Sequence, residues 1–178
     1  ANVMAARELA RSASSLEELR RLLQGFEGCG LKKTATNLCL SRGAPDARLI
    51  LIGEAPGKEE DAAGLPFVGR AGQLLDKMLA AIGLTEADVY ITNLVFWRPP
   101  GNRTPSPAEV QVCQPFLERQ IELLAPNLLV FLGNASAKQL MGATDGILKL
   151  RGKWLTYPLG GGIPAMATLH PAYLLRNP

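Results

Sequence analysis

The chain has 178 residues, 47% of them hydrophobic and 20% charged, which suits one globular domain over residues 1–178 with a full core. A formal charge of +3 gives modest weight to a polyanionic partner. No apolar run reaches the roughly 18 residues of a membrane span, no signal peptide is visible, and three cysteines make no disulfide framework, so a reducing, cytoplasmic setting is expected.

Ala1 to Arg11 reads as a helical lead-in. Ser15-Leu16-Glu17-Glu18 has capping-box spacing, and Leu16, Leu19, Leu23 and Phe26 follow on one helical face. Residues 29–46, with Gly30, Gly43 and Pro45, are expected to be irregular. Arg48 to Ile52 is an apolar run that predicts a buried strand. It breaks into Gly53-Glu54-Ala55-Pro56-Gly57, a turn that bares backbone N–H groups. The acidic cluster Glu59, Glu60 and Asp61 and the broken stretch around it do not read as a helix opening from that turn. Pro66-Phe67-Val68-Gly69-Arg70 then holds an aromatic on a glycine-punctuated loop.

The spacing of Leu74, Leu75, Met78, Leu79 and Ile82 predicts a helix over 69–82. A second strand is expected over 89–95, followed by Phe96-Trp97 and the rigid, proline-rich loop Arg98 to Pro105. Ser106-Pro107-Ala108-Glu109 supplies a cap, a first-position proline and a closing glutamate for a helix to about Leu124. A third strand over 128–132 ends at Gly133-Asn134, and a short helix follows over 135–141. Residues 147–157 suggest a hairpin turning at Arg151-Gly152. A fourth strand over 165–169 delivers His170-Pro171-Ala172-Tyr173-Leu174-Leu175-Arg176-Asn177-Pro178.

Strands that alternate with helices imply an α/β fold: a three-layer α/β/α sandwich around a mostly parallel four-stranded sheet. Parallel strands bring their carboxyl ends to one edge, so the loops GEAPG, WRPPGNR, LGN and HPAYLLRNP should converge on one ligand site.

Each loop residue has a plain and a functional reading. Phe67 is either a core plug or a stacking platform, the latter worth roughly 1–3 kcal/mol per base. Asn93 either ties backbone at a strand end or reads a base edge; its amide donates and accepts together, which suits uracil and opposes cytosine. His170, the one histidine, is aimed at the common edge and could donate to an oxygen that gains charge. Arg98, Arg103 and Arg176 are ordinary surface cations, or phosphate contacts if they ring one cleft. Leu174 and Leu175 either pack under their turn or wedge a base stack. Glu54, Glu59, Glu60 and Asp61 would repel DNA if fully exposed; one carboxylate could orient water or steady a cationic sugar.

With these residues in place, the chain resembles the uracil-DNA glycosylase superfamily, nearest to its iron–sulfur family 4 branch. The resemblance rests on GEAPGKEED (53–61), PFVGRAG (66–72), ITN (91–93), RPPGNRTPSPAE (98–109), PFL (115–117) and HPAYLLRNP (170–178), in that order. It implies hydrolytic excision of uracil from DNA in base-excision repair, with the deoxyuridine flipped out of the stack. A monomer acting on nucleoid DNA of a bacterial type is expected. By resemblance, Phe67 stacks on uracil, Asn93 reads its edge and His170 faces O2. Gly53, Glu54, Ala55 and Gly57 line the water and uracil side. Asn102 matches a loop asparagine linked to activity. Leu174 is the wedge, with Tyr173, Arg176, Arg98 and Arg103 toward the DNA.

Two departures qualify this. Family 4 members hold a [4Fe–4S] cluster on four cysteines. Here Cys29 and Cys113 match two of those positions, while Phe26 and Trp97 stand at the others and Cys39 matches none. Aromatic rings do not ligate iron, so no cluster is expected, with both rings packed in its place against the helix after Ser106. Ala55, as in family 4, replaces an aspartate that activates water in another branch, which leaves Glu54, Glu60 and Asn102 as candidates to position water. Gly57 stands where that branch has a tyrosine against the thymine methyl. Two other readings are weaker. Covalent capture of uracil-DNA without turnover uses a histidine after the second strand, where this chain has NRTP. A flavodoxin-like nucleotide module needs its phosphate loop to open directly into a helix.

Overall fold

A computed structural model describes residues 2–178. Its strands, in chain order, are Arg42–Gly43 (β1), Leu49–Gly53 (β2), Val89–Asn93 (β3), Leu128–Leu132 (β4), Trp154–Tyr157 (β5) and Ile163–Thr168 (β6). They form one sheet in the order β1-β3-β2-β4-β6-β5. β3, β2, β4 and β6 run parallel, as expected, and β1 and β5 pair antiparallel at the two edges. The sheet therefore has six strands where four were expected. The two extra strands carry little apolar periodicity: β1 is two residues long and β5 is mostly exposed.

The helices are Asn2–Ser12 (α1), Leu16–Gly25 (α2), Lys58–Ala63 (α3), Arg70–Ala81 (α4), Pro107–Leu124 (α5), Asn134–Met141 (α6), Ile147–Leu150 (α7) and Pro171–Arg176 (α8). Alternation along the strands divides the core in two. Ile50, Ile52, Tyr90, Leu129 and Phe131 pack with Leu19 and Leu23 of α2 and Phe116, Leu117 and Ile121 of α5. Leu51, Val89, Ile91 and Leu132 pack with Leu75 and Leu79 of α4. This is the expected three-layer sandwich, and each fully buried large apolar side chain contributes about 1.5–3 kcal/mol to it.

Three local expectations are corrected. Residues 147–157 are not a hairpin: α7 is one helical turn, and β5 instead pairs with β6 across 158–162. Gly160, Gly161 and Gly162 all take positive φ in that turn, which only glycine adopts freely. The acidic stretch after Gly57 is a helix after all. Glu59, Glu60 and Asp61 lie in its first turn, where negative charge meets the positive end of the helix dipole. Leu174 and Leu175 sit on α8 rather than on an irregular turn.

The chain crosses from β2 to β3 on one side and has β4 on the other. The carboxyl end of β2 is thus the switch point of the sheet, where an open α/β fold leaves a crevice.

Candidate functional site

The crevice is built around a glycine. Gly53 ends β2 and lies in register with Asn93 at the end of β3. A Cβ on Gly53 would come within 2.5 Å of the Phe67 ring and 2.6 Å of Asn93 Oδ1. Only a residue without a side chain lets ring and amide meet there. Asn93 is 1% exposed, and its Oδ1 has no hydrogen-bond partner. A buried acceptor left unpaired costs about 1–3 kcal/mol, so the fold keeps an acceptor ready for a donor that it does not itself supply.

Phe67 is held in a conformation it would not choose. Its φ is 56°, in the left-handed region that costs a non-glycine residue on the order of 1–3 kcal/mol. The neighbouring backbone is gripped from two sides. Arg42 donates from Nε to the Pro66 carbonyl at 2.9 Å and from an Nη to the Phe67 carbonyl at 2.8 Å. The Glu60 carboxylate accepts from the N–H groups of Val68 and Gly69 at 2.9 and 2.7 Å, and from that of Gly57 at 3.0 Å. Gly72 completes the fit, because any side chain there would overlap the Phe67 backbone.

His170 caps α8. Its Nδ1 accepts the Ala172 N–H at 3.0 Å, which leaves Nε2 as the protonated, donating nitrogen. Burial, and then the charge of Arg176, push its pKa down to about 4. At neutral pH it is an uncharged donor. The Phe67 and His170 rings stack at 5.4 Å between centroids and 28° between planes. His170 opens onto a cleft of about 540 Å³ lined also by Glu54, Asn134, Lys138, Tyr173 and Arg176. Burial raises the Glu54 carboxyl above its ordinary range.

Gly53, Phe67, Asn93 and His170 are thus brought together, with Glu54, Tyr173 and Arg176 on the adjoining cleft. Other candidates stand apart from it. Both oxygens of Glu60 are occupied by backbone N–H groups, so its role in this structure is to shape the loop. Asp61 likewise binds the N–H groups of Thr36 and Asn37. Asn102 is exposed, with its amide oxygen accepting from Arg98 Nε at 2.6 Å. Arg103 forms a two-pronged pair with Glu109 at 2.8 and 2.9 Å, and that pair holds the Glu109 carboxyl down at about 2. Ala55 and Gly57 are half-buried beside the β2 turn. Leu174 is half-buried, and Leu175 is the more exposed of the two leucines, at 37%. Sequence reasoning placed Asn134 only as part of the LGN loop and passed over Arg42 and Lys138. Lys138 has no motif around it, and the partners of Arg42 lie 24 and 25 residues away.

The family model described as "Uracil DNA glycosylase superfamily" matches residues 40–178, which include every residue of this crevice. The chain belongs to the uracil-DNA glycosylase superfamily. It is 41% identical over 169 residues to the "Type-4 uracil-DNA glycosylase" of Archaeoglobus fulgidus, covering 92% of this chain and 85% of that protein. It is 44% identical over 153 residues to the protein of the same name in Thermotoga maritima, covering 84% and 77%. Similarity to the "Type-5 uracil-DNA glycosylase" of Thermus thermophilus is lower, 33% over 147 residues, covering 72% and 66%.

The four positions that the resemblance assigns to an iron–sulfur cluster carry two thiols and two aromatic rings. Phe26, Cys29, Trp97 and Cys113 share one buried core. The Phe26 ring packs on Phe116 of α5 at 5.1 Å, and the Phe96 and Trp97 rings form a T-shaped pair at 6.3 Å. A hydrogen bond with Cys113 holds the Cys29 thiol below its ordinary pKa, and the same bond, then burial, push Cys113 up. Cys39 lies elsewhere, its thiol donating to the Glu60 carbonyl at 3.1 Å. Two thiols and two aromatic rings do not fit a cluster that takes four thiolates.

Proposed function

We propose that this chain is a monofunctional uracil-DNA glycosylase that acts in base-excision repair without a metal cluster. The observation that carries the reading is the unpartnered, buried Oδ1 of Asn93 beside the Phe67 ring. Uracil N3–H is a donor suited to that oxygen, and uracil O4 is an acceptor suited to the amide N–H. Superfamily membership and the names of the relatives support the same substrate.

In this reading the deoxyuridine leaves the DNA stack and lays its ring on Phe67. The bond between uracil N1 and C1′ breaks with its electron pair remaining on N1. The negative charge that spreads onto O2 is met by the Nε2–H of His170, a neutral donor that needs no proton transfer to act. A water oxygen bonds to C1′ and gives up a proton, which the uracil anion takes up at N1, leaving neutral uracil and an abasic sugar. Glu54, half-buried on the cleft, positions that water. Arg176, Tyr173 and Lys138 face the DNA backbone, and Leu174 fills the gap in the stack. Arg98 and Arg103, which stand apart from the cleft on Asn102 and Glu109, meet DNA phosphates beyond it. The protein works as a monomer on DNA in the cytoplasm.

A labelled oligonucleotide with one uracil, incubated with the protein and then treated with alkali, tests the reading. Strand cleavage at the uracil is expected. An adduct stable in detergent would instead indicate capture without turnover.

A further inference from the structure

We infer that Arg42 is a positioning residue for the base-stacking platform, and that it acts through Phe67 without touching the substrate. The inference rests on the reading of Phe67 as that platform. Arg42 lies on the two-residue edge strand β1, outside every motif of the site. Its side chain is only 7% exposed, which is rare for an arginine on an edge strand unless its charge is paired. Two of its N–H groups go to consecutive carbonyls, those of Pro66 and Phe67. Asp76 at 2.8 Å and Glu86 at 3.3 Å neutralise the charge from the outer side.

Consecutive carbonyls that face one guanidinium cannot both be served if the peptide between them turns. The planar fork of Arg42 therefore fixes the Pro66–Phe67 peptide plane, which a point-charge lysine does not. That plane matters because Phe67 sits at φ 56°, a conformation that persists only where its surroundings over-determine it. Glu60 takes the opposite side of the same loop through the N–H groups of Val68 and Gly69. A cation on the carbonyls and an anion on the following amides leave the loop one arrangement. In that arrangement the Phe67 ring lies over Gly53 and against His170.

The test compares single-turnover uracil release, with enzyme in saturating excess, for wild type, Arg42→Gln, Arg42→Lys, Phe67→Ala and the double variant Arg42→Gln with Phe67→Ala. Each is measured well below its own melting temperature. A misplaced platform costs about tenfold to a hundredfold in rate, so Arg42→Gln should slow the chemical step by that factor and Arg42→Lys by less. In the Phe67→Ala background, Arg42→Gln should add nothing. Hydrogen exchange at the amides of residues 67–69 should quicken in Arg42→Gln while the core strands stay protected. Wild-type rates in Arg42→Gln, or the same slowing with and without Phe67, would overturn the inference. If wild type releases no uracil, the substrate reading fails, and the exchange measurement still decides whether Arg42 holds the loop. Arg42→Lys keeps the charge if the glutamine variant does not fold.

Discussion

Phe67 and His170 come from loops a hundred residues apart in the chain, yet their rings stack at 5.4 Å and 28°. One ring is held by a strained backbone and the other by a helix cap. Backbone contacts thus fix both rings beside the end of β2.

Gly53→Ala should fold and fail. The added methyl meets the Phe67 ring and Asn93 Oδ1 at once, so platform and edge reader must part. Uracil release should fall about a hundredfold, the scale of a misplaced reacting group. Thermal melting of the variant shows whether the fold survives.

His170 should titrate far below an ordinary histidine. Its folded pKa is about 4, against about 6.5 for a free imidazole. Between those values the unfolded chain binds more protons than the folded one, so stability rises with pH across that window and is lost as pH falls toward 4. Protonation at Nδ1 would also set two donors face to face at the α8 cap. With one histidine in the chain, its proton resonance in an NMR titration is unambiguous. No inflection is expected near pH 6.5. Arg176→Gln should move the midpoint upward, because Arg176 is the second cause of the depression.

Leu174→Ala should slow uracil release from double-stranded DNA more than from single strands. A wedge is needed only where a stack must be held open, and unstacking costs a few kcal/mol per step. Leu175→Ala is the informative comparison, since Leu175 is the more exposed leucine. A larger loss from Leu175→Ala would transfer the wedge to that residue.

Protein purified without oxygen should carry no stoichiometric iron or acid-labile sulfide. Phe26 and Trp97 are buried in the same core as Cys29 and Cys113, and a cubane cluster needs four thiolates. One cluster per chain by iron and sulfide analysis would contradict this.

The central strands and the convergence of their loops were legible in the sequence because each is carried by a local signal. The run Leu49 to Ile52 and the run Leu128 to Leu132 are continuous apolar segments, as buried parallel strands require. Gly53 stands where β2 stops, Asn93 where β3 stops and His170 just after β6, while Phe67 is marked by its own glycine-punctuated loop. The misses have a common cause, which is that the deciding partner is distant or the signal is shared. Glu60 carries the same charge whether it orients water or caps a loop, and only its contacts with Gly57, Val68 and Gly69 separate the two. The helix after Gly57 was hidden because its first-turn acids also read as a functional cluster. β5 was misjoined because the glycine run at 160–162 is as strong a turn signal as Arg151-Gly152. Arg42 left no trace, since nothing near it in sequence mentions Phe67.

In the proposed reaction the unpaired Asn93 amide reads uracil on the Phe67 platform while His170 takes up the departing charge. Single-turnover release of uracil from a uracil-containing oligonucleotide, compared for wild type, Asn93→Ala and His170→Ala, tests it most directly. Removing one preorganised donor or reader should cost about a hundredfold to a thousandfold, with abasic sites formed rapidly by wild type. Wild-type rates in both variants, or no uracil release by the wild-type protein, would contradict the account.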